Sequence, residues 1–187
     1  PHRVHLVGIG GAGMSAIARI LAQRGHAVSG SDLHDSRAVA ALRVLGVRID
    51  VGHDAAHVAD TDGVVISSAV SPGNPEVVGA ISRGIPVVAR AQMLADTLVG
   101  DRAVLVAGTH GKTTTTSMIV VAIHAAGVDP TFAIGGELNE AGTNAHAGSD
   151  RVAVAEADES DRSFLAYEPD VAVVTNLELD HPEVYRD

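Results

Sequence analysis

The sequence predicts an α/β protein in two parts: a Rossmann-like parallel-sheet domain over residues 1–100, then a partial P-loop α/β domain over 101–187. Three observations predict it. An apolar strand runs into Gly8-Ile9-Gly10-Gly11-Ala12-Gly13, with a helix, a second strand and Asp32 behind it. A second apolar run, Val104-Leu105-Val106-Ala107, ends in Gly108-Thr109-His110-Gly111-Lys112-Thr113 and another helix start. Between and after them, short Val/Ile/Ala runs alternate with helical patterns through short connections, the rhythm of a mostly parallel sheet.

The elements follow in order. Arg3–Gly8 reads as a buried strand. Met14, Ile17, Ala18, Leu21 and Ala22 share one face of a helix that stops at Gly25. Ala27–Asp32 is a strand ending in an acid. Together these make the strand, G-x-G-x-x-G turn, helix, strand and acid of a dinucleotide-type βαβ unit. The glycines let a phosphate approach the backbone, or they only let the helix pack closely on the strand; the flanking strand, helix and Asp32 favour the first reading. Asp32 could accept from a ribose or a base, or serve with Asp35 and Ser36 at the start of the next helix. That helix carries Val39, Leu42 and Leu45 and stops at Gly46. Strands follow near 47–51 and 64–67. Asn74-Pro75-Glu76 opens a helix with a cap, a proline at the first position and an acid in the first turn. A strand at 85–89 and a helix at 91–98 complete the domain. Ligands of such sheets bind outside the carboxyl ends of the strands. Those ends carry Gly10, Gly11, Ala12, Gly13, Asp32, His53, Ser67, Ser68 and Arg90, although His53 and Arg90 taken singly also read as solvated surface residues.

Gly100-Asp101-Arg102 is a polar break before the second part. The Gly-Lys-Thr turn there converges backbone N–H groups on an anion at a helix N-terminus. Lys112 can reach outer phosphates, and Thr113 stands where a P-loop hydroxyl holds Mg²⁺. The loop departs from G-x-x-x-x-G-K-[ST], because Val106 occupies the position of the first glycine. The helix beyond carries Met118, Ile119, Ala122 and Ile123 and stops at Gly127. An apolar strand at 152–155 then delivers Glu156, Asp158, Glu159 and Asp161. Glu156, first after the strand, is the best placed to hold Mg²⁺; the other three also read as a solvated acidic face. A last strand from Val171 leads to Asp180-His181, where the histidine is either a metal ligand or an ordinary loop residue.

Composition narrows the field. Hydrophobic residues make up 46% of the chain, enough for a core, whereas Phe132, Phe164, Tyr167 and Tyr185 are its only aromatics, so the first half packs with aliphatic side chains. A formal charge of −10 without a Lys/Arg cluster or aromatic platform argues against nucleic-acid binding. With no cysteine, disulfides and thiolate zinc sites are excluded. No membrane-length apolar run or signal pattern is present, so a cytoplasmic location is expected.

Five stretches, His5–Ser15, Ser29–Asp32, Gly108–Thr114, Glu156–Asp161 and Asn176–His181, together resemble the Mur ligases, the ATP-dependent amide-bond-forming enzymes of peptidoglycan precursor synthesis. The resemblance spans nearly the whole chain, and the short Gly108–Thr114 loop is that family's form of the P-loop. It implies that residues 1–100 bind a UDP-sugar, with Gly10, Gly11, Ala12 and Gly13 near the diphosphate and Asp32, His53, Ser67, Ser68 and Arg90 around it. It implies ATP on Gly108, Thr109, His110, Gly111, Lys112, Thr113 and Thr114, Mg²⁺ on Thr113 and Glu156, and a second Mg²⁺ on His181. Lys112, Glu156 and His181 would be catalytic. Within the family, the motif set fits the member that activates UDP-N-acetylmuramate as an acyl phosphate for attack by L-alanine. A tripeptide-recycling member shares Thr109–Thr113 and is the nearest alternative. Because the chain stops at Asp187 just after a sheet strand, the resemblance also predicts a portion of a longer ligase, unable to ligate alone and without the amino-acid pocket.

Two readings from other classes compete. A nicotinamide-dependent oxidoreductase domain accounts for Gly8–Gly13 and Asp32 but leaves Lys112, Glu156 and His181 unexplained. A non-catalytic nucleotide-binding module accounts for the P-loop alone. Thermal stabilisation by the UDP-sugar, by NAD or by Mg-ATP separates the three.

Overall fold

The computed structural model describes residues 1–138, 143–157 and 163–178. Its internal contacts divide the chain into two units, Pro1–Met93 and Leu94–Asp187.

The first unit is built as β1 (Arg3–Val7), α1 (Ala12–Gln23), β2 (Ala27–Asp32), α2 (Arg37–Val44), β3 (Arg48–Val51), β4 (Gly63–Ile66), α3 (Pro75–Ser82) and β5 (Val87–Ala89). All pairings in its sheet are parallel, in the order β3-β2-β1-β4-β5. The chain therefore starts in the middle, moves to one edge, and crosses back to fill the other. All five carboxyl ends lie along one edge of the sheet, where the glycine turn, Asp32, His53, Ser67 and Arg90 follow their strands. Leu6, Val7, Ile9, Ile17 and Ile20 are fully buried, and Met14, Ala18 and Leu21 join them on the inward face of α1. Ser36 caps α2 by accepting Val39 N–H at 3.3 Å. Asp35, the other acid near that start, pairs instead with Arg43 across the exposed side. Leu45 falls outside α2, at its C-cap, and is 38% exposed, because the last turn rotates it off the face that buries Val39 and Leu42. Asn74 caps α3 with Pro75 in its first turn. Between β3 and β4 the connection is only a 3-10 turn, Ala55–Val58, packed against α3.

α4 (Arg90–Leu98) carries the chain from the first unit into the second. β6 (Arg102–Ala107), α5 (Lys112–Ala125), β7 (Thr131–Leu138), β8 (Thr143–His146), β9 (Val152–Glu156) and β10 (Val171–Val174) follow. Their sheet runs β10-β6-β9-β7-β8, with only β8 antiparallel. Val120, Phe132, Ile134 and Val154 form its buried cluster, with Val104, Ile119 and Ile123 packed against it. α5 thus turns Thr116, Val120 and Ile123, spaced by helical turns, to the sheet; Met118 lies off that face and is 60% exposed. Among the described residues, no helix is long and apolar enough to cross a membrane.

Candidate functional site

In the first unit the glycine turn is shaped by close approach. Gly8 has φ +73°, in the left-handed region that favours glycine. A Cβ on Gly10 would meet Asp32 Oδ2 at 2.9 Å, and one on Gly13 would come within 2.5 Å of the Arg90 guanidinium. Arg90, 77 positions after Gly13, therefore brings its positive charge against the turn. Asp32 fastens the same turn: Oδ2 accepts Gly10 N–H at 2.8 Å, and Oδ1 accepts His34 N–H at 3.1 Å. Its charge is directed first at the backbone, and each oxygen keeps a further lone pair. Gly11 and Ala12 are exposed at the start of α1, whose first N–H groups have no intrahelical partner. His53 follows β3, and Ser67 and Ser68 follow β4, on the same sheet edge.

His53 belongs to a cluster that its sequence neighbours do not suggest. Glu76 is fully buried in the first turn of α3. Ser31 Oγ donates to its Oε2 at 2.6 Å, His53 Nδ1 lies 2.9 Å from the same oxygen, and His57 Nδ1 lies 2.7 Å from Oε1. His5, also fully buried, places Nε2 3.4 Å from Oε1, within ion-pair range but outside hydrogen-bond geometry, while its Nδ1 meets Ser29 Oγ at 2.9 Å. Burial pushes the Glu76 carboxyl toward its protonated form. The groups on His5, Ser31 and His57 outweigh that and bring its pKa down to about 2. In the sequence Glu76 reads only as a first-turn acid, and no spacing ties it to His5 or His57. One signal was available: a histidine inside the apolar run Val4-His5-Leu6-Val7 must find a partner if that strand is central.

In the second unit the loop after β6 is held from both sides. Gly108 has φ +130°, and a Cβ there would clash with the Thr175 hydroxyl and the Asn176 backbone. Gly111, at φ +84°, is the N-cap of α5. The segment leaving β10 grips the loop between them. Asn176 Oδ1 accepts His110 N–H at 2.9 Å, Thr175 Oγ1 donates to His110 O at 2.6 Å, and Thr109 Oγ1 donates to Glu178 O at 3.3 Å. Lys112 folds back over the loop, Nζ donating to Gly108 O at 2.6 Å. Thr113 and Thr114 are exposed in the first turn of α5.

Glu156 ends β9, the strand beside β6. Its Oε2 lies 3.2 Å from Thr113 Oγ1, and its Oε1 accepts Gly135 N–H at 2.8 Å. The fold thus brings together Lys112, Thr113 and Glu156, which are 44 positions apart in the chain at most. Asp158, Glu159, Asp161, Asp180 and His181 lie outside the described residues. A hydroxyl beside a carboxylate, at a helix N-terminus, is a hard-oxygen donor pair next to an anion site, the chemistry that suits Mg²⁺ with phosphate.

Comparison with known proteins agrees over the whole chain. A family model described as "Mur ligase family, catalytic domain" matches residues 3–102, and one described as "Mur ligase middle domain" matches 106–187. The UDP-N-acetylmuramate–L-alanine ligase of Rhodococcus jostii (strain RHA1) is 58% identical over 98% of this chain and 37% of its own length. That of Nocardioides sp. (strain ATCC BAA-499 / JS614) is 57% identical over 98% of this chain and 42% of its own. The chain therefore spans about two-fifths of the length of these curated relatives. Among solved structures, the UDP-N-acetylmuramate-alanine ligase of Thermotoga maritima superposes with a TM-score of 0.93 at 36% identity, covering all of this chain and 44% of that one. The UDP-N-acetylmuramate:L-alanyl-gamma-D-glutamyl-meso-diaminopimelate ligase of Neisseria meningitides gives a TM-score of 0.90 at 33% identity, covering all of this chain and 64% of that one.

Proposed function

The chain belongs to the Mur ligase family, and on that premise we propose that it supplies the UDP-sugar-binding and ATP-binding parts of a ligase joining L-alanine to UDP-N-acetylmuramate. The observation that carries the reading is the Thr113–Glu156 pair under the Lys112 loop, at the carboxyl ends of neighbouring parallel strands. The relatives at 57–58% identity favour L-alanine as the amine over the tripeptide named for the Neisseria enzyme.

In this reading the amides of Gly111–Thr114 and the N-terminus of α5 bind the ATP phosphates. Lys112 exchanges the Gly108 carbonyl for phosphate oxygens and draws charge toward the leaving ADP. Thr113 and Glu156 would hold Mg²⁺, which would offset negative charge on the phosphates. A carboxylate oxygen of the muramoyl group attacks the γ-phosphorus and ADP departs. The L-alanine amine then attacks the acyl carbon, phosphate leaves with the bonding pair, and a proton is lost from nitrogen. Phosphate is needed because a carboxylate is a poor electrophile with no leaving group. In the first unit the Gly10–Gly13 turn, with Arg90 against it, receives the diphosphate, and Asp32, His53, Ser67 and Ser68 line the surrounding edge. His181 as holder of a second Mg²⁺ remains part of this proposal.

The test is phosphate release by the full-length protein with ATP, UDP-N-acetylmuramate and L-alanine, each omitted in turn. Release should require all three, and Lys112→Ala should lower it by about two orders of magnitude or more. Release that proceeds with the tripeptide L-alanyl-γ-D-glutamyl-meso-diaminopimelate but not with L-alanine would refute the amine assignment. Release without any UDP-sugar would refute the ligase reading.

A further inference from the structure

Ser31, His53, His57 and Glu76 come from β2, the turn after β3, the 3-10 turn and α3, and meet at one carboxylate. An ionised carboxylate only accepts hydrogen bonds. With Glu76 ionised, each nitrogen bonded to it must carry hydrogen. His53 Nδ1 faces two oxygens at 2.9 Å, Glu76 Oε2 and Ser31 Oγ. The single Ser31 hydroxyl hydrogen is directed to Glu76 at 2.6 Å, so the Ser31 oxygen is also an acceptor toward His53. In the other neutral tautomer, the Nδ1 lone pair would point at both acceptors, with nothing on that side to satisfy it. Neutral His53 is therefore fixed as the Nδ1–H tautomer, the form that leaves Nε2 bare. Nε2 has no partner among the described residues. The side chain is 18% exposed and follows β3 at the sheet edge where Asp32 and the glycine turn lie.

We propose that Glu76 is a positioning residue for nucleotide recognition: it locks His53 in the Nδ1–H tautomer, so that Nε2 accepts a hydrogen bond from an N–H or O–H group of the uridine nucleotide. This rests on the reading that the edge of the first sheet holds a UDP-sugar. Glu76 never touches the ligand; it acts through the ring it orients, as the buried carboxylates behind metal-bound histidines do. His57, held by the other oxygen, and His5, facing it, keep Glu76 itself from turning away.

A double-mutant cycle in the full-length protein tests it, with UDP as the probe and calorimetry as the readout. Glu76→Gln puts an amide donor into a site built for an acceptor. It should weaken UDP binding about tenfold in the wild-type background. In a His53→Ala background the same change should cost less than about twofold, since the ring it acts through is gone. Equal losses in both backgrounds would overturn the proposal and leave Glu76 a purely structural residue. Nitrogen chemical shifts of histidine-labelled wild type decide the tautomer without any variant: an Nε2–H form of neutral His53 overturns the proposal even if Glu76→Gln fails to fold. No UDP binding by the wild type refutes the UDP-sugar reading itself. UDP binding with an additive cycle refutes the role of Glu76 alone.

Discussion

Acidification should weaken the first unit chiefly through one side chain. Glu76 has a folded pKa of about 2 against an ordinary value of 4.5. A carboxyl whose pKa is depressed by folding adds stability that is fully present above its unfolded pKa. That stability is lost as the pH falls toward the folded pKa. The difference of about 2.5 units, at about 1.36 kcal/mol each, is about 3 kcal/mol. Roughly 2 kcal/mol of it should be gone by about pH 3. The side chain is fully buried, so its contacts lie out of reach of solvent screening. Residues 1–93 contain neither tryptophan nor tyrosine, so intrinsic fluorescence carries no probe of the first unit. Hydrogen exchange at the β1 amides reads the opening free energy of the first unit directly. Asp62 is also held below its usual range, by its hydrogen bonds to Arg3, so wild type and Glu76→Gln must be compared across the same pH series. The wild type should lose about 2 kcal/mol more than the variant between about pH 7 and pH 3. Parallel curves would refute the assignment of acid sensitivity to Glu76.

Two further outcomes concern the second unit. Thr113→Ala should weaken Mg-dependent ATP binding about tenfold, with Thr113→Ser near wild type; equal loss in both, read by titration with and without Mg²⁺, would show that the methyl group and not the hydroxyl matters. Gly108→Ala should destabilise more than Gly127→Ala. Both sites have positive φ, but only Gly108 also meets the Thr175 hydroxyl and Asn176 backbone, whereas Gly127 has open space. The open site should cost about 1 kcal/mol and the crowded one at least about 2, by thermal unfolding of the two variants.

Much of this architecture was legible in the chain because it is local. The βαβ order, the Ser36 and Asn74-Pro75 helix starts and the Gly-Lys-Thr turn are each written within a few residues. β7 was not read, because Gly135 and Gly136 interrupt an otherwise apolar run and glycine is a poor strand former. β8, Thr143-Asn144-Ala145-His146, lacks β-branched residues after its first position and takes its conformation from pairing with β7. The Glu76 cluster was illegible for a different reason. Its members at 5, 31, 53, 57 and 76 share no spacing, and only the β1–β2 pairing together with the run from β3 through the 3-10 turn and β4 to α3 sets them side by side. Asp32 shows how far a motif carries: the acid stood where the pattern puts it, yet its two oxygens are engaged first by Gly10 and His34.

The grip of the β10 exit on the P-loop has a consequence for the order of folding. His110 and Thr109 are held by partners 65 to 69 positions further along the chain. When synthesis has passed α5, the strand, the glycines, the helix and the Lys112–Gly108 contact can all form, but the partners of His110 and Thr109 do not yet exist. Closing so long a loop costs entropy before any of its bonds can form. The Gly108–Thr113 loop therefore takes its final form late, because part of its hold comes from contacts distant in sequence. A ribosome-stalled chain ending before Val171 should carry every residue of the motif and still lack the site.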